Sequence, residues 1–297
     1  MANKAAVLLE ESPKESLPSY GAWILGGWVA LLLVTAYFQT LRHVYGSWFN
    51  EVLNMEHGIF VPFAAAYMVW MKKEELKKTP LAPSWLGVIV VLGATLMFFL
   101  GILAQWVWVS QASFLAGLVG SIWAVCGFRM VRKLSYPLCT LVLMIPPPSF
   151  IMSRITLDLQ LLASRLGEMS LEALGFSVLR EGNILEMVGE KLAVAEACSG
   201  IRSLVALIFL AVVYNYFFVP QKRMRVILLV SVVPIAILCN AGRIMATGVV
   251  GQFNRELAHG MLHATFGYFG LALGALLLFG LHRLLLHVPG MGRKRYV

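Results

Sequence analysis

A cysteine, an arginine and a histidine stand at the edges of three successive apolar runs, and together they could carry acyl transfer. Cys198 lies in Val194-Ala195-Glu196-Ala197-Cys198-Ser199-Gly200-Ile201-Arg202-Ser203, just before the apolar run 204–219. A thiol at a helix start feels the positive end of the helix dipole, which favours the nucleophilic thiolate. Arg202 acts in the same direction and Glu196 opposes it, while Gly200 leaves backbone room near the sulfur. Arg243 closes Asn240-Ala241-Gly242-Arg243 after the run 226–239, and His263, with His259 one turn earlier, opens the run 260–281. An imidazole can take the thiol proton and later give one to a leaving amine. A guanidinium can stabilise the oxyanion of a tetrahedral intermediate. Taken singly, each residue has a plainer reading. Free cysteines mostly pack in interiors, and arginines or histidines at an apolar boundary often reach for water. Their arrival together at one end of three consecutive runs is what points to a site.

The elements that must position them are membrane helices. Of the 297 residues 59% are hydrophobic and 13% charged, whereas soluble domains carry about 25% charged residues. The formal charge of +9 would suggest nucleic acid in a soluble chain. Here the basic residues cluster in short loops between apolar runs, the topology signal of membrane proteins, so no nucleic-acid partner is expected. The first residues are polar, with Glu10, Glu11, Lys14 and Glu15, and no cleaved signal peptide is expected. The four cysteines show no CxxC spacing, which suggests neither a zinc site nor a disulfide framework. A metal on Cys198, His259 and His263 lacks a nameable fourth ligand, so neither metal nor cofactor is expected. Asp158 is the only aspartate and HExxH is absent, which excludes two-aspartate and HExxH zinc proteases. No internal repeat is evident.

A span needs about 20 apolar residues. Runs 20–41, 58–71 (beginning before His57), 85–103, 111–128, 134–145, 204–219, 226–239 and 260–281 give an all-α polytopic membrane protein with about eight transmembrane helices. Loops are expected at 42–56 and 248–258. The organisation reads as an N-terminal cytoplasmic tail (1–19), helices one to five (20–145), an outer-face segment (146–197), helices six to eight with the candidate residues (198–281), and a basic cytoplasmic tail (282–297). Pro146-Pro147-Pro148 opens the outer segment. Its first half repeats Ile155, Leu159, Leu162, Leu166 and Met169 on one helical face, an amphipathic helix lying on the membrane or on the bundle. Its second half places turn signals at Glu181-Gly182-Asn183 and Gly189-Glu190 among strand-like runs 177–180, 184–188 and 192–195, a small β-meander leading into Cys198. With the N-terminus inside, every short cytoplasmic loop is basic, and Cys198, Arg243 and His263 fall on the outer face. His282 and His287 stand among basic residues at the other end.

Three blocks carry a resemblance: 195–203 around Cys198, Asn240-Ala241-Gly242-Arg243-Ile244, and His263-Ala264-Thr265-Phe266-Gly267. They resemble the signature blocks of the exosortase family, membrane-embedded cysteine transpeptidases. His57-Gly58 and the proline break fit as well, and the likeness extends over roughly 57–267. The related archaeosortases place a second arginine where exosortases have histidine, so His263 favours the exosortase branch. Some members carry a further C-terminal domain, which is not expected here. The resemblance implies Cys198 as nucleophile, Arg243 as oxyanion or thiolate stabiliser and His263 as acid/base, with His259 left open for the last role. Glu196, Ser199, Gly200, Arg202, Asn240, His57 and His259 are implied as supporting or substrate-binding residues. The implied substrates are secreted proteins ending in a Pro-Glu-Pro-like motif, a membrane helix and a basic end (a PEP-CTERM-like tail). Cleavage would proceed through a thioester at the periplasmic side of a bacterial inner membrane, linked to exopolysaccharide or surface-protein export. The partners are then the tailed substrate, the bilayer and an acceptor that could be water, an amine or a glycan. Two other classes compete: a non-catalytic component of polysaccharide export, and a transporter. The transporter reading suffers because the helix interiors lack Asp, Glu, Lys and Arg.

Overall fold

The computed structural model describes residues 20–50, 55–188, 190–194, 200–254 and 261–288. The chain divides into two compact units, one of Met1–Val44 with Pro62–Ile145 and one of Tyr45–Val61 with Pro146–Val297. The all-α polytopic architecture expected above is what the protein adopts. Among the described residues five helices are long and apolar enough to span a membrane, and Ser135–Met144 with Ser149–Ala173 passes the same test only as a pair.

In the first unit, α1 (Tyr20–Ala36) is followed after Tyr37 by α2 (Phe38–Trp48), which carries the chain into the second unit. A loop was expected from residue 42. The helix continues because Tyr37, Thr40, Val44 and Ser47 form a buried stripe at helical spacing, hidden in sequence by the polar types between them. After α3 (Phe60–Met71) and α4 (Lys73–Lys77), α5 (Trp85–Leu103) and α6 (Val107–Cys126) form the unit's tightest pair. Glycines make that approach possible: a Cβ at Gly87 would stand 2.1 Å from Ala124 N, and one at Gly101 2.8 Å from Ser110 N. Lipid is as apolar as leucine, so membrane helices associate through small residues that let backbones close. The unit ends with α7 (Phe128–Lys133) and α8 (Ser135–Leu141).

The second unit positions the candidate site. A 3-10 turn, Glu56–Ile59, precedes its main run, which is α9 (Ser149–Ala173), strands β1 (Val178–Glu181), β2 (Ile184–Met187) and β3 (Glu190–Ala193), then α10 (Ile201–Phe218), α11 (Lys222–Phe253) and α12 (Met261–Leu285). The strands form the expected antiparallel meander in the order β1-β2-β3, with Glu181 opposite Ile184 and Ile184 opposite Ala193. Cross-strand partners Glu186 and Lys191 form an ion pair, and the carboxylate holds the Lys191 ammonium above its ordinary pKa.

Two cores hold this unit. Leu171 of α9, Leu185, Met187 and Leu192 of the sheet and Ile244 of α11 form one. Leu207, Ala211, Leu228, Val232 and Leu278 join α10, α11 and α12 in the other. At the end of α10 the Tyr214 hydroxyl and His282 Nδ1 lie 2.5 Å apart, so His282 is a buried tie between α10 and α12.

Helix α9 is the expected amphipathic helix, and the face it buries in protein is its small-residue face. Its buried residues are Gln160, Ala163, Ser164, Gly167 and Leu171, while Ile155, Leu162 and Met169 are exposed. A Cβ at Gly167 would stand 2.6 Å from Ile244 Cγ2, and one at Gly248 3.0 Å from Leu171 Cδ1. The small face meets protein because backbone proximity is gained there, and the large apolar side chains gain nothing by leaving lipid.

Helix α11 also runs further than expected. Asn240 to Arg243 lie inside it, and the expected loop at 248–258 is helical to Phe253. Alternation of small and apolar residues, Ala246, Gly248, Val249, Val250, Gly251, reads as loop by composition. Helix packing against Leu171 and Met187 overrides that signal.

Candidate active site

Three helix segments of the second unit bring Gly200, Asn240, Arg243 and Gly267 close to one another. Gly200 is the N-cap of α10 and sits at φ +80°. This left-handed conformation suits glycine, which has no Cβ to clash. The absence of a Cβ also closes a contact: one at Gly200 would stand 2.8 Å from Asn240 Cγ. Asn240 is buried in α11, and Arg243 follows it by three residues, one turn along the same helix. The Arg243 guanidinium in turn lies against α12, where a Cβ at Gly267 would be 3.5 Å from Cζ. His263 stands one turn before Gly267 in that helix. The start of α10, the middle of α11 and the start of α12 therefore converge.

Helix lengths put this convergence at one level. At 1.5 Å per residue, Arg243 stands about 32 Å along α11 from Lys222, and His263 about 30 Å along α12 from Arg283. Both separations match the roughly 30 Å hydrocarbon thickness of a bilayer. Arg243 can thus sit at a membrane boundary although α11 continues for ten residues beyond it. The continuation is the part that packs against α9 and the meander through Ile244 and Gly248.

The 3-10 turn adds a fourth piece. Arg202 Nη1 pairs with Glu56 Oε1 at 3.3 Å, with both side chains about half exposed. His57 is buried beside Phe209 of α10, ring centroids 5.9 Å apart. Gly58 lets the turn close on Trp48, since a Cβ there would come within 2.3 Å of the indole. Glu56 was not singled out from the sequence. Its signal is an unassigned carboxylate beside His57, matched to an arginine in the first turn of α10. The pair changes the electrostatics read from the sequence: the Arg202 charge is already partly neutralised by Glu56, which leaves the start of α10 as the less compromised source of positive potential at this end of the helix. An arginine in a helix's first turn opposes the dipole, and the carboxylate relieves that opposition.

A small cleft between α9, α10 and α11 opens beside the Gly200–Asn240 contact, lined by Leu159, Leu162, Leu204 and Ile237 among others. Of the remaining predicted residues, Glu196, Cys198, Ser199 and His259 lie outside the described residues, and His263 is placed by its backbone in α12. Among the described residues no group of His, Cys, Asp and Glu could hold a metal ion.

The family model described as transmembrane exosortase matches residues 48–280. No curated protein matches the chain, and no solved structure does.

Proposed function

The chain belongs to the transmembrane exosortase family, and from that premise we propose that it is a cysteine transpeptidase or protease that cuts the C-terminal sorting tail of secreted proteins. Cys198 attacks the scissile carbonyl, Arg243 stabilises the oxyanion, and His263 moves the proton from thiol to leaving amine. The thioester on Cys198 then passes its acyl group to water, an amine or a glycan. The observation that carries this reading is the contact of Gly200 with Asn240, one turn from an arginine that itself lies against Gly267. It supports a single locus for three blocks that are far apart in sequence. The basic ends of the helices support an orientation with this locus on the periplasmic side of a bacterial inner membrane. A tail with a Pro-Glu-Pro-like motif, a membrane helix and a basic end would stop in the bilayer with its motif at that level, in a pathway serving exopolysaccharide or surface-protein export.

A tail-cleavage assay with purified variants tests the roles. His263→Ala is expected to lose about 10²–10⁴-fold in rate, the usual cost of a missing general acid–base, and His259→Ala far less. Arg243→Ala is expected to lose about 10²–10³-fold, with Arg243→Lys recovering only part, because a point charge lacks the planar fork. A His259→Ala loss larger than that of His263→Ala would exchange the two histidines. Full activity in Arg243→Ala would remove the oxyanion assignment.

A further inference from the structure

The first unit contains a basic pocket with no place in the proposed chemistry. Lys78, Thr79, Pro80, Arg129, Arg132 and Lys133 line an open depression of about 500 Å³, within the size range of small-ligand sites. Its floor is organised. Thr79 is buried, its hydroxyl donates to Glu75 O at 2.8 Å, and Lys133 Nζ donates to that hydroxyl at 3.0 Å. Lys72 Nζ ties down the Lys133 carbonyl at 2.9 Å. Charge in the pocket is not balanced. Glu75 pairs with Lys133 at 3.2 Å and Glu74 with Lys77 at 3.1 Å, whereas Lys78, Arg129 and Arg132 have no ion pair among the described residues. That leaves the Arg129 and Arg132 forks and the Lys78 ammonium around one concavity, and arginine forks suit the oxygens of a phosphate.

The surroundings favour a phosphate carried by lipid. The pocket lies where α6 ends and α5 begins, and both are span candidates. Trp85, the first residue of α5, is 84% exposed, with Leu86 and Phe128 exposed as well. The Trp123 and Phe128 rings lie 5.0 Å apart beside Arg129. Aromatic side chains at a span end mark the headgroup level, and basic pockets between membrane helices take anionic headgroups. We propose that this pocket is a phosphate-binding site that holds the headgroup of an anionic phospholipid. The proposal stands apart from the transpeptidase reading and would survive its failure.

The test uses the full chain in detergent. Native mass spectrometry would measure retention of phosphatidylglycerol and, separately, of phosphatidylcholine, and 31P line broadening would measure inorganic phosphate. Three proteins would be compared: wild type, Arg129→Gln/Arg132→Gln, and the control Lys222→Gln/Arg223→Gln, which neutralises two exposed cations at the start of α11. The expected result is a loss of roughly thirtyfold in phosphatidylglycerol affinity for the first variant, none for the control, and unchanged phosphatidylcholine retention. Lys78→Gln repeats the test at an exposed, unpaired side chain should the double variant fold poorly, and should weaken phosphatidylglycerol binding in the same direction. If inorganic phosphate binding falls in the pocket variants and phosphatidylglycerol binding does not, the phosphate site stands and its lipid source is overturned. Equal losses in the pocket variant and the control would reduce the effect to diffuse attraction by basic loops and overturn the proposal, as would wild-type protein that prefers neither anionic lipid nor phosphate.

Discussion

A Cβ at Gly200 would meet Asn240 Cγ at 2.8 Å on a backbone already at φ +80°. Gly200→Ala therefore incurs two penalties, about 1–2 kcal/mol for the left-handed conformation and a further cost for displacing a buried side chain of α11. Gly182 offers the matching control: its φ is +65°, but a Cβ there would meet open space. Thermal unfolding in detergent should show Gly200→Ala well below wild type and Gly182→Ala lowered only by the backbone term. Because the Gly200 turn directly follows Cys198, Gly200→Ala should also lose tail cleavage. An active Gly200→Ala enzyme of wild-type stability would mean that the close approach to Asn240 does not position the nucleophile.

At the scale of elements, the packing of α9 on α11 rests on glycines. Gly167→Leu would drive a large side chain into Ile244, and overpacking of this kind typically costs about 1–3 kcal/mol or more. Met169→Ala, two positions away on the exposed side, should be close to neutral. The opposite ranking in a detergent melt would make the leucine-rich face the buried one. Periodicity located α9 itself, and turn residues located the meander to within a residue or two at each strand. Neither could say which face of α9 meets protein, because hydrophobicity does not distinguish lipid from core. Helices α2 and α11 outran their expected ends for a related reason: polar or small residues mid-helix look like loop until a packed partner is known. The three signature blocks were legible because each sits at a change from polar to apolar composition. Glu56 was not, since an ion pair between residues so distant in sequence leaves no local pattern.

For the whole molecule the central quantity is orientation. In the proposed topology, the basic helix ends and the separations of about 30 Å along α11 and α12 set the start of α10 and the start of α11 on opposite sides of a bilayer. A membrane-impermeant thiol reagent applied from the periplasmic side should label Cys198 and leave Cys126, which is half-buried at the end of α6, untouched. Labelling of Cys198 only after the cytoplasmic face is opened would reverse the orientation and with it the substrate class. The cysteine mechanism requires a covalent intermediate. Purified enzyme mixed with a tailed substrate and quenched in acid should carry an acyl adduct on Cys198, found by mass spectrometry and removed by hydroxylamine. Cys198→Ala should form no adduct and cleave nothing, and Cys198→Ser should retain little activity, since a hydroxyl is harder to ionise than a thiol. A Cys198→Ala enzyme that cuts the tail at the wild-type rate would contradict the account.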